Sequence, residues 1–431
     1  MYRDISHKLK EWKNSDKHKP LIIVGARQVG KTYSVREFGL ANYKSLLEIN
    51  LQDDVKTRNF FSESRSIKDI LSYIELNNLG YELNKDTLLF FDEIQTCPEL
   101  ITALKYFAEK CESDVICSGS MLGVKLHAMS SFPVGYVEMI NMYPMTFTEF
   151  LIANAFPEKY IEEAKESIRS KTKVPEVIHE KLNEMFSRYV VCGGLPEAVG
   201  EYVRDGLAAA VKVNRRLVRD YEIDIAHYAD SKTKVKALEC FQSLPLQLSK
   251  DNKKFQYKVV REGYNARYYD DSLAWLKNAG IVYAVHRLSR VEAPLEINKE
   301  LGIFKIYYFD TGLLVSQFSD SVIESTAEDT LGTYKGVVYE NITAQMLTYA
   351  GYKCYYYEPS QTSEIDFVIE YEGGITPMEV KGGIRVQSRS FDNFIKNHHS
   401  RHALRVSKKN TGVSEDGIVR YIPHYGLEWI L

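Results

Sequence analysis

Short apolar runs alternate with longer amphipathic stretches along the first third of the chain. Residues 19–24, 43–50, 87–93 and 114–120 each read as a strand, because short apolar clusters stand there with turn, polar or charged residues at their ends. Residues 33–38 and 98–110, and most of the stretch from 50 to Gly80, carry helical spacing instead. Strands separated by helices predict an α/β domain with a parallel sheet. Farther on, residues 157–183, 209–228, 233–250 and 272–279 read as helices, with Gly280 as a C-cap. Residues 281–285 and 303–309 follow as strands. After a helix from Gly336 to about Ala350, three strands are predicted at 354–357, 363–370 and 375–381, with further strands at 404–406 and 418–422. The pattern divides the chain into segments 1–155, 156–230, 231–325 and 326–431.

Composition narrows the classes. The chain has 431 residues, enough for about two or three domains. Hydrophobic residues make up 45% and charged residues 26%, so disorder and collagen are excluded. The net charge of −3 excludes an overall basic footprint, although a local basic groove is compatible with it. Cys97, Cys111, Cys117, Cys192, Cys240 and Cys354 are too scattered for a structural zinc site or a disulfide framework. Residues 1–19 lack the apolar core of a signal peptide, and no apolar run reaches membrane-spanning length. A cytoplasmic protein with no membrane partner is expected.

The first predicted strand runs straight into Gly25-Ala26-Arg27-Gln28-Val29-Gly30-Lys31-Thr32, the pattern G-x-x-x-x-G-K-[ST]. Between a strand and a helix, this loop turns backbone amides toward phosphate. Gly25, Arg27, Gln28, Val29, Gly30, Lys31, Thr32 and Tyr33 are the expected ATP-binding residues. Lys31 would reach the β- and γ-phosphates, and Thr32 would bind Mg²⁺. The strand at 87–93 ends in Asp92-Glu93. Asp92 suits the Mg²⁺ side, and Glu93 suits the base that orients the attacking water. Ser118 and Ser120 end the next strand, where ligands of a parallel sheet collect, and Ser120 is the expected γ-phosphate sensor.

These residues resemble a large group of prokaryotic AAA-type ATPases whose P-loop domain is fused to an uncharacterised C-terminal region. The resemblance rests on Gly25 to Thr32, Leu88 to Glu93, Ser118 to Ser120, and Tyr143-Pro144-Met145-Thr146-Phe147-Thr148-Glu149-Phe150, which is similar to a Pro-Leu-Ser-Phe-x-Glu-Phe signature. Arg188 to Val199 contains Gly193-Gly194-Leu195-Pro196-Glu197, similar to the group's Gly-Gly-x-Pro-Glu signature. The resemblance implies ATP binding and hydrolysis. One departure stands out: the group carries a Gly-Arg pair before the first signature, and here Gly135 precedes Tyr136. If that arginine is a finger acting on a neighbouring subunit, Arg27, Arg188 and Arg204 are the substitutes to consider. The oligomeric state stays open.

The helices from 209 to 279, followed by two strands, suggest a winged-helix-like module, which the group is consistent with. Lys250, Lys253, Lys254, Lys258, Arg261 and Arg267 interleave with Phe255, Tyr257, Tyr264, Tyr268 and Tyr269, a mixture suited to nucleic acid or to a protein partner. In the last hundred residues, Asp366 precedes Glu379-Val380-Lys381 with 12 residues between the two acids. Strand periodicity turns Glu379 and Lys381 to one side. Two carboxylates suit Mg²⁺ or Mn²⁺, a lysine beside them suits activation of water, and Glu340 on the preceding helix suits a supporting ligand. This set resembles the core of restriction-endonuclease-like nucleases. Arg385, Arg389, Lys396, Arg401, Arg405, Lys408 and Lys409 then supply basic character for a DNA backbone.

The expected fold is therefore α/β: an AAA-type P-loop domain, a helical and winged-helix-like middle, and a restriction-endonuclease-like C-terminal domain. Two functions fit. One is an Mg²⁺-dependent ATPase whose conformational change serves a DNA-binding or DNA-cleaving domain. The other is an ATP-controlled switch that binds a protein partner through an inactive nuclease-like scaffold.

Overall fold

A computed structural model of the chain describes residues 1–63, 66–120, 132–229, 232–250, 253–330, 332, 334–360, 362–383 and 388–431. It divides into two compact units. The first is Met1–Pro144 with Asn278–Gly280, and the second is Met145–Lys277 with Ile281–Leu431.

The first unit is built on five parallel strands: β1 (Leu21–Val24), β2 (Ser45–Asn50), β3 (Thr87–Asp92), β4 (Asp114–Gly119) and β5 (Glu138–Asn141). Their order is β2-β3-β4-β1-β5, and every pairing is parallel. Leu21, Ile22 and Ile23, Leu88 to Phe91, and Val115 to Cys117 are buried. Strands covered on both faces are apolar at consecutive positions, which explains the unbroken runs in the sequence. Ile22, Leu89, Phe91 and Cys117 share a core with Ile67, Ile70 and Ile74 of the helix Ile67–Asn77, and with Leu100, Leu104 and Phe107 of the helix Pro98–Lys110. β5 was not foreseen. Its residues Glu-Met-Ile-Asn are mostly exposed at the sheet edge, so no apolar run marks it.

The second unit carries one mixed sheet of eight strands: β6 (Val282–Leu288), β7 (Lys299–Tyr308), β8 (Tyr355–Ser360), β9 (Ser363–Tyr371), β10 (Gly374–Val380), β11 (Ala403–Ser407), β12 (Gly412–Val413) and β13 (Val419–Pro423). The order is β12-β13-β11-β10-β9-β8-β6-β7. The β6–β7 hairpin, expected as part of a winged-helix-like module, pairs through β6 with β8 and so continues the C-terminal sheet. A backbone ladder between two segments leaves no boundary in the sheet at residue 325.

Buried polar groups tie this unit's helices to the sheet. The Asp310 carboxylate accepts from the amides of Gly194 (2.7 Å) and Leu313 (3.2 Å). Asn341 exchanges hydrogen bonds with the backbone of Tyr308, and Gln345 accepts from the Thr311 amide and hydroxyl. The Tyr189 hydroxyl donates to the Met145 carbonyl at 2.6 Å. Thr146 and Glu149 form a capping box on the helix Phe147–Ala153, and Glu428 accepts from the Phe147 and Thr148 amides. Both family-like signatures are thus structural joints of the second unit, since Gly193-Gly194 and Met145 to Glu149 satisfy buried or terminal backbone groups.

Candidate functional site

The phosphate-loop residues come together at the carboxyl ends of β1, β3 and β4. Gly25 passes so close to its neighbour that an added Cβ would lie 2.2 Å from the Met142 carbonyl oxygen. Gly30 sits at φ 95°, which a side chain disfavours, and it starts the helix Lys31–Asn42. Arg3 braces the loop from outside, donating to the Val29 carbonyl at 2.6 Å and to the Tyr143 carbonyl at 2.7 Å. Sequence reasoning missed Arg3, because a lone N-terminal arginine carries no motif.

Lys31 is buried and folds back on the loop, donating to the carbonyls of Gly25 (3.0 Å) and Ala26 (2.8 Å). Burial lowers its pKa to about 8, although Glu93 and Asp92 oppose the shift. The Thr32 hydroxyl donates to Asp92 at 2.8 Å, and the Ser118 hydroxyl donates to the other Asp92 oxygen. Burial pushes the Asp92 carboxyl up, and the Ser118 and Thr32 hydrogen bonds counter it. Glu93 adopts a left-handed backbone at φ 54°. Its carboxylate accepts from Ser120 Oγ at 2.9 Å and from the Gln95 side-chain amide. Each acid therefore has its own serine, Ser118 with Asp92 and Ser120 with Glu93. Gln95, buried two residues after Glu93, was not foreseen. A hydroxyl and a carboxylate this close are hard oxygen donors of the kind Mg²⁺ takes, so Thr32 and Asp92 fit that ion.

The second cluster lies in the other unit. Glu340, on the helix Lys335–Tyr349, Asp366 on β9 and Glu379 on β10 are all buried. Asp366 accepts from the Val380 amide at 2.8 Å. Lys381, one residue past β10, pairs with Glu379, and its carbonyl is held by the buried His424 at 3.0 Å. Glu379 Oε2 is buried with no hydrogen-bond partner.

Glu340 departs from expectation. It is paired with Lys253 and lies 3.7 Å from the Lys305 ammonium, and the Tyr307 hydroxyl donates to it at 3.2 Å. Lys305 is 0% exposed and also meets Glu364 at 2.5 Å. Burial opposes the charge on Glu340, but Lys253 and Lys305 outweigh it and hold its pKa below the usual carboxylate value. Burial, then Glu379 and Glu340, push Asp366 well above that value. Among the described residues, no three His, Cys, Asp or Glu side chains are grouped so as to hold a metal ion. The expected three-carboxylate shell of Asp366, Glu379 and Glu340 is therefore not formed, because the Glu340 oxygens face lysines. Lys305 left a trace in the sequence, as a lysine inside the otherwise apolar strand Ile303 to Phe309.

Four residues of the expected basic surface turn inward. Lys253 and Lys254 pair with Glu340 and Glu358, Arg405 with Asp392, and Lys408 with Asp329. Phe255 and Tyr269 are buried. Lys258, Arg261, Arg267, Arg389, Lys396, Arg401 and Lys409 are exposed, and Arg385 lies outside the described residues. Arg188 pairs with Glu184, and Arg204 with Glu201 and Asp205. Among the described residues, no helix is long and apolar enough to cross a membrane.

Comparison with known families agrees with the first site. Residues 17–151 match a family described as an AAA domain. Residues 183–322 and 335–425 match two families described as domains of unknown function, DUF8612 and DUF4143. The match and the parallel sheet make the first unit an AAA-type P-loop ATPase domain, and nucleotide is the ligand such a domain takes. No curated protein matches the chain. Among solved structures, a Walker-type ATPase of Pyrococcus abyssi is 17% identical, covering 72% of this chain and 93% of its own, with a TM-score of 0.43. The Orc1 protein of Aeropyrum pernix in complex with DNA is 11% identical, covering 75% and 90%, with a TM-score of 0.30. Drosophila ORC bound to DNA is 10% identical, covering 75% and 93%, also at 0.30. The assignment rests on the family match and the site, not on these scores.

Proposed function

We propose that the chain is an Mg²⁺-dependent ATPase that uses hydrolysis to change its own conformation, and that its second unit binds a partner. The observation that carries the first part is the paired arrangement at the ends of β3 and β4. Thr32 and Ser118 hold Asp92, while Ser120 and Gln95 hold Glu93.

In this reading the amides of residues 25–32 and Lys31 bind the phosphates, and Thr32 and Asp92 hold the ion. Bound there, Mg²⁺ supplies positive charge against the phosphate oxygens. Lys31 exchanges its two carbonyl partners in the loop for phosphate oxygens. Glu93 orients and deprotonates the attacking water once Ser120 releases it, and Ser120 is free to donate to the γ-phosphate. The test is ATP binding and phosphate release by the full chain against Lys31→Ala. Loss of both in the variant supports the reading. Equal activity in the two proteins would sink it.

For the second unit, the lysines on Glu340 support a binding scaffold over a cleaving one. DNA and a protein remain the two partner classes. DNA affinity that falls steeply with salt would favour the first, since neutralising phosphates releases counterions. A Lys381→Ala variant with unchanged plasmid integrity in Mg²⁺ or Mn²⁺ is the expected match to an equally inactive wild type.

A further inference from the structure

The turn after β3 fixes its backbone and leaves its side chains to choose partners. The Glu93 carbonyl accepts from the Thr96 amide at 3.0 Å and from the Thr96 hydroxyl at 2.8 Å. The Cys97 amide donates to the Ile94 carbonyl at 2.9 Å, and Ile94 is buried in the core of the first unit. The Glu93 amide donates to the Asp92 carboxylate at 3.0 Å. Glu93 is held in this turn at φ 54°, a region uncommon for a residue with a side chain and kept only where the surroundings impose it.

Glu93, Gln95 and Ser120 form a closed triangle of hydrogen bonds. Ser120 Oγ donates to Glu93 Oε2 at 2.9 Å, and Gln95 Nε2 donates to the same oxygen. Gln95 Nε2 also donates to Ser120 Oγ at 3.4 Å. A carboxylate only accepts, so the amide turns its nitrogen to the acid, and its two N–H groups serve both partners. That leaves Gln95 Oε1 behind. Gln95 is 4% exposed, and Oε1 is buried with no donor among the described residues. A buried carbonyl without a donor is costly. Among the described residues, the carboxamide is oriented through its nitrogen alone, by Glu93 and Ser120, so it follows whichever of them moves.

The Ser120 hydroxyl carries one hydrogen, and here it is spent on Glu93. A γ-phosphate at the end of β4 competes for that hydrogen. When Ser120 turns to phosphate, its oxygen keeps lone pairs for Gln95, and Gln95 keeps its hold on Glu93. We propose that Gln95 is a positioning residue that couples Ser120 to Glu93: its side-chain amide joins the serine that meets the γ-phosphate to the acid that activates water, so Glu93 is turned to its working position only when that phosphate is bound. This deepens the ATPase reading by naming what regulates its base, and it rests on that reading. The unpartnered Oε1 suits the role, because a carboxamide anchored at both ends would hold Glu93 in one place with or without ligand.

The test is a double-mutant cycle on the full chain, with Gln95→Met and Ser120→Ala singly and together. Phosphate release at saturating Mg²⁺-ATP is measured beside affinity for a fluorescent ATP analogue. Gln95→Met should lower kcat by about tenfold to a hundredfold, as misplacement of a reacting group does. Its affinity for the analogue should stay within about threefold of wild type, because Gln95 acts through Glu93 and not on the nucleotide. In the Ser120→Ala background, Gln95→Met should change kcat by less than about threefold, since the link is already cut. Gln95→Leu replaces Gln95→Met if the latter does not fold. An unchanged kcat, an equal loss in both backgrounds, or a loss confined to affinity would each overturn the coupling while leaving the ATPase reading in place. Wild-type phosphate release no higher than that of Lys31→Ala would remove the ATPase reading, and the coupling with it.

Discussion

The two polar clusters solve the same problem in opposite ways. Both gather carboxylates and a lysine at the ends of buried strands. In the first unit the acids are held mainly by neutral hydroxyls and an amide, with Thr32 and Ser118 on Asp92, and Ser120 and Gln95 on Glu93. The lysine there points back at carbonyls of its own loop. Neutral partners can be exchanged for a ligand at small cost, so that site suits binding and release. In the second unit the acids are held by full charges, with Lys253 and Lys305 on Glu340 and Lys381 on Glu379. Buried ion pairs resist being broken, because the partner left behind is an unpaired charge. Its charges are therefore matched within the fold rather than left for a ligand.

The comparison can be broken at several points. The largest effect is expected from Glu93→Gln. If Glu93 activates water, steady-state phosphate release falls by about 10²- to 10⁴-fold, while ATP affinity measured by a fluorescent analogue stays near wild type. A rate unchanged by Glu93→Gln would remove the functional contrast. Next is Lys305→Met, which leaves Glu340 and Glu364 without their buried cation. Urea unfolding of the second unit's transition should report a loss of about 3–5 kcal/mol. A neutral effect would show that the cluster is not held by charge.

A smaller effect comes from pH. Lys31 has its pKa lowered to about 8 by burial, and phosphate binding favours its charged form. Below that pH the lysine is already charged, and above it each ATP bound must take up a proton. ATP affinity should therefore fall by up to about tenfold per pH unit above 8. Isothermal titration at pH 7, 8 and 9 checks it, and an affinity that is constant across that range would show that the charge on Lys31 does not limit binding.

The smallest effect concerns Asp310. Burial raises its pKa to about 6, against the amide hydrogen bonds that lower it. A carboxyl raised in the folded state binds a proton that the unfolded chain has lost. Its contribution is full below the unfolded value and disappears as pH rises through 6. Asp310→Asn should flatten the slope of stability between about pH 4 and 6, read from melting temperatures across that window.

The cluster around the phosphate loop was legible almost completely as a set of neighbouring residues, while the second cluster was legible only in part. Gly25 to Thr32 lie on one turn of chain, and Asp92-Glu93 end one apolar run, so local order already implies proximity. Asp366, Glu379 and Lys381 were visible for the same reason, since the two acids lie on neighbouring strands joined by a tight turn and Lys381 directly follows the second. Lys253, Lys305, Tyr307 and Glu364 carry no spacing rule. The 250–267 stretch looked like an exposed basic face because composition does not say which way a lysine points. Two of its lysines turn inward onto Glu340 and Glu358.

The amino-acid sequence by itself determined the strand–loop–helix that cradles phosphate, the acids that end β3, and the alternation of apolar runs and helices that makes a parallel sheet. These follow from short-range periodicity and from backbone freedom at single positions. Only the tertiary structure decided that the β6–β7 hairpin extends the C-terminal sheet, that each acid of the first site has its own serine, and that Glu340 is neutralised from within. Those outcomes depend on which side chains meet across long stretches of chain, and in a buried cluster the balance between burial and opposite charge is set by every neighbour at once.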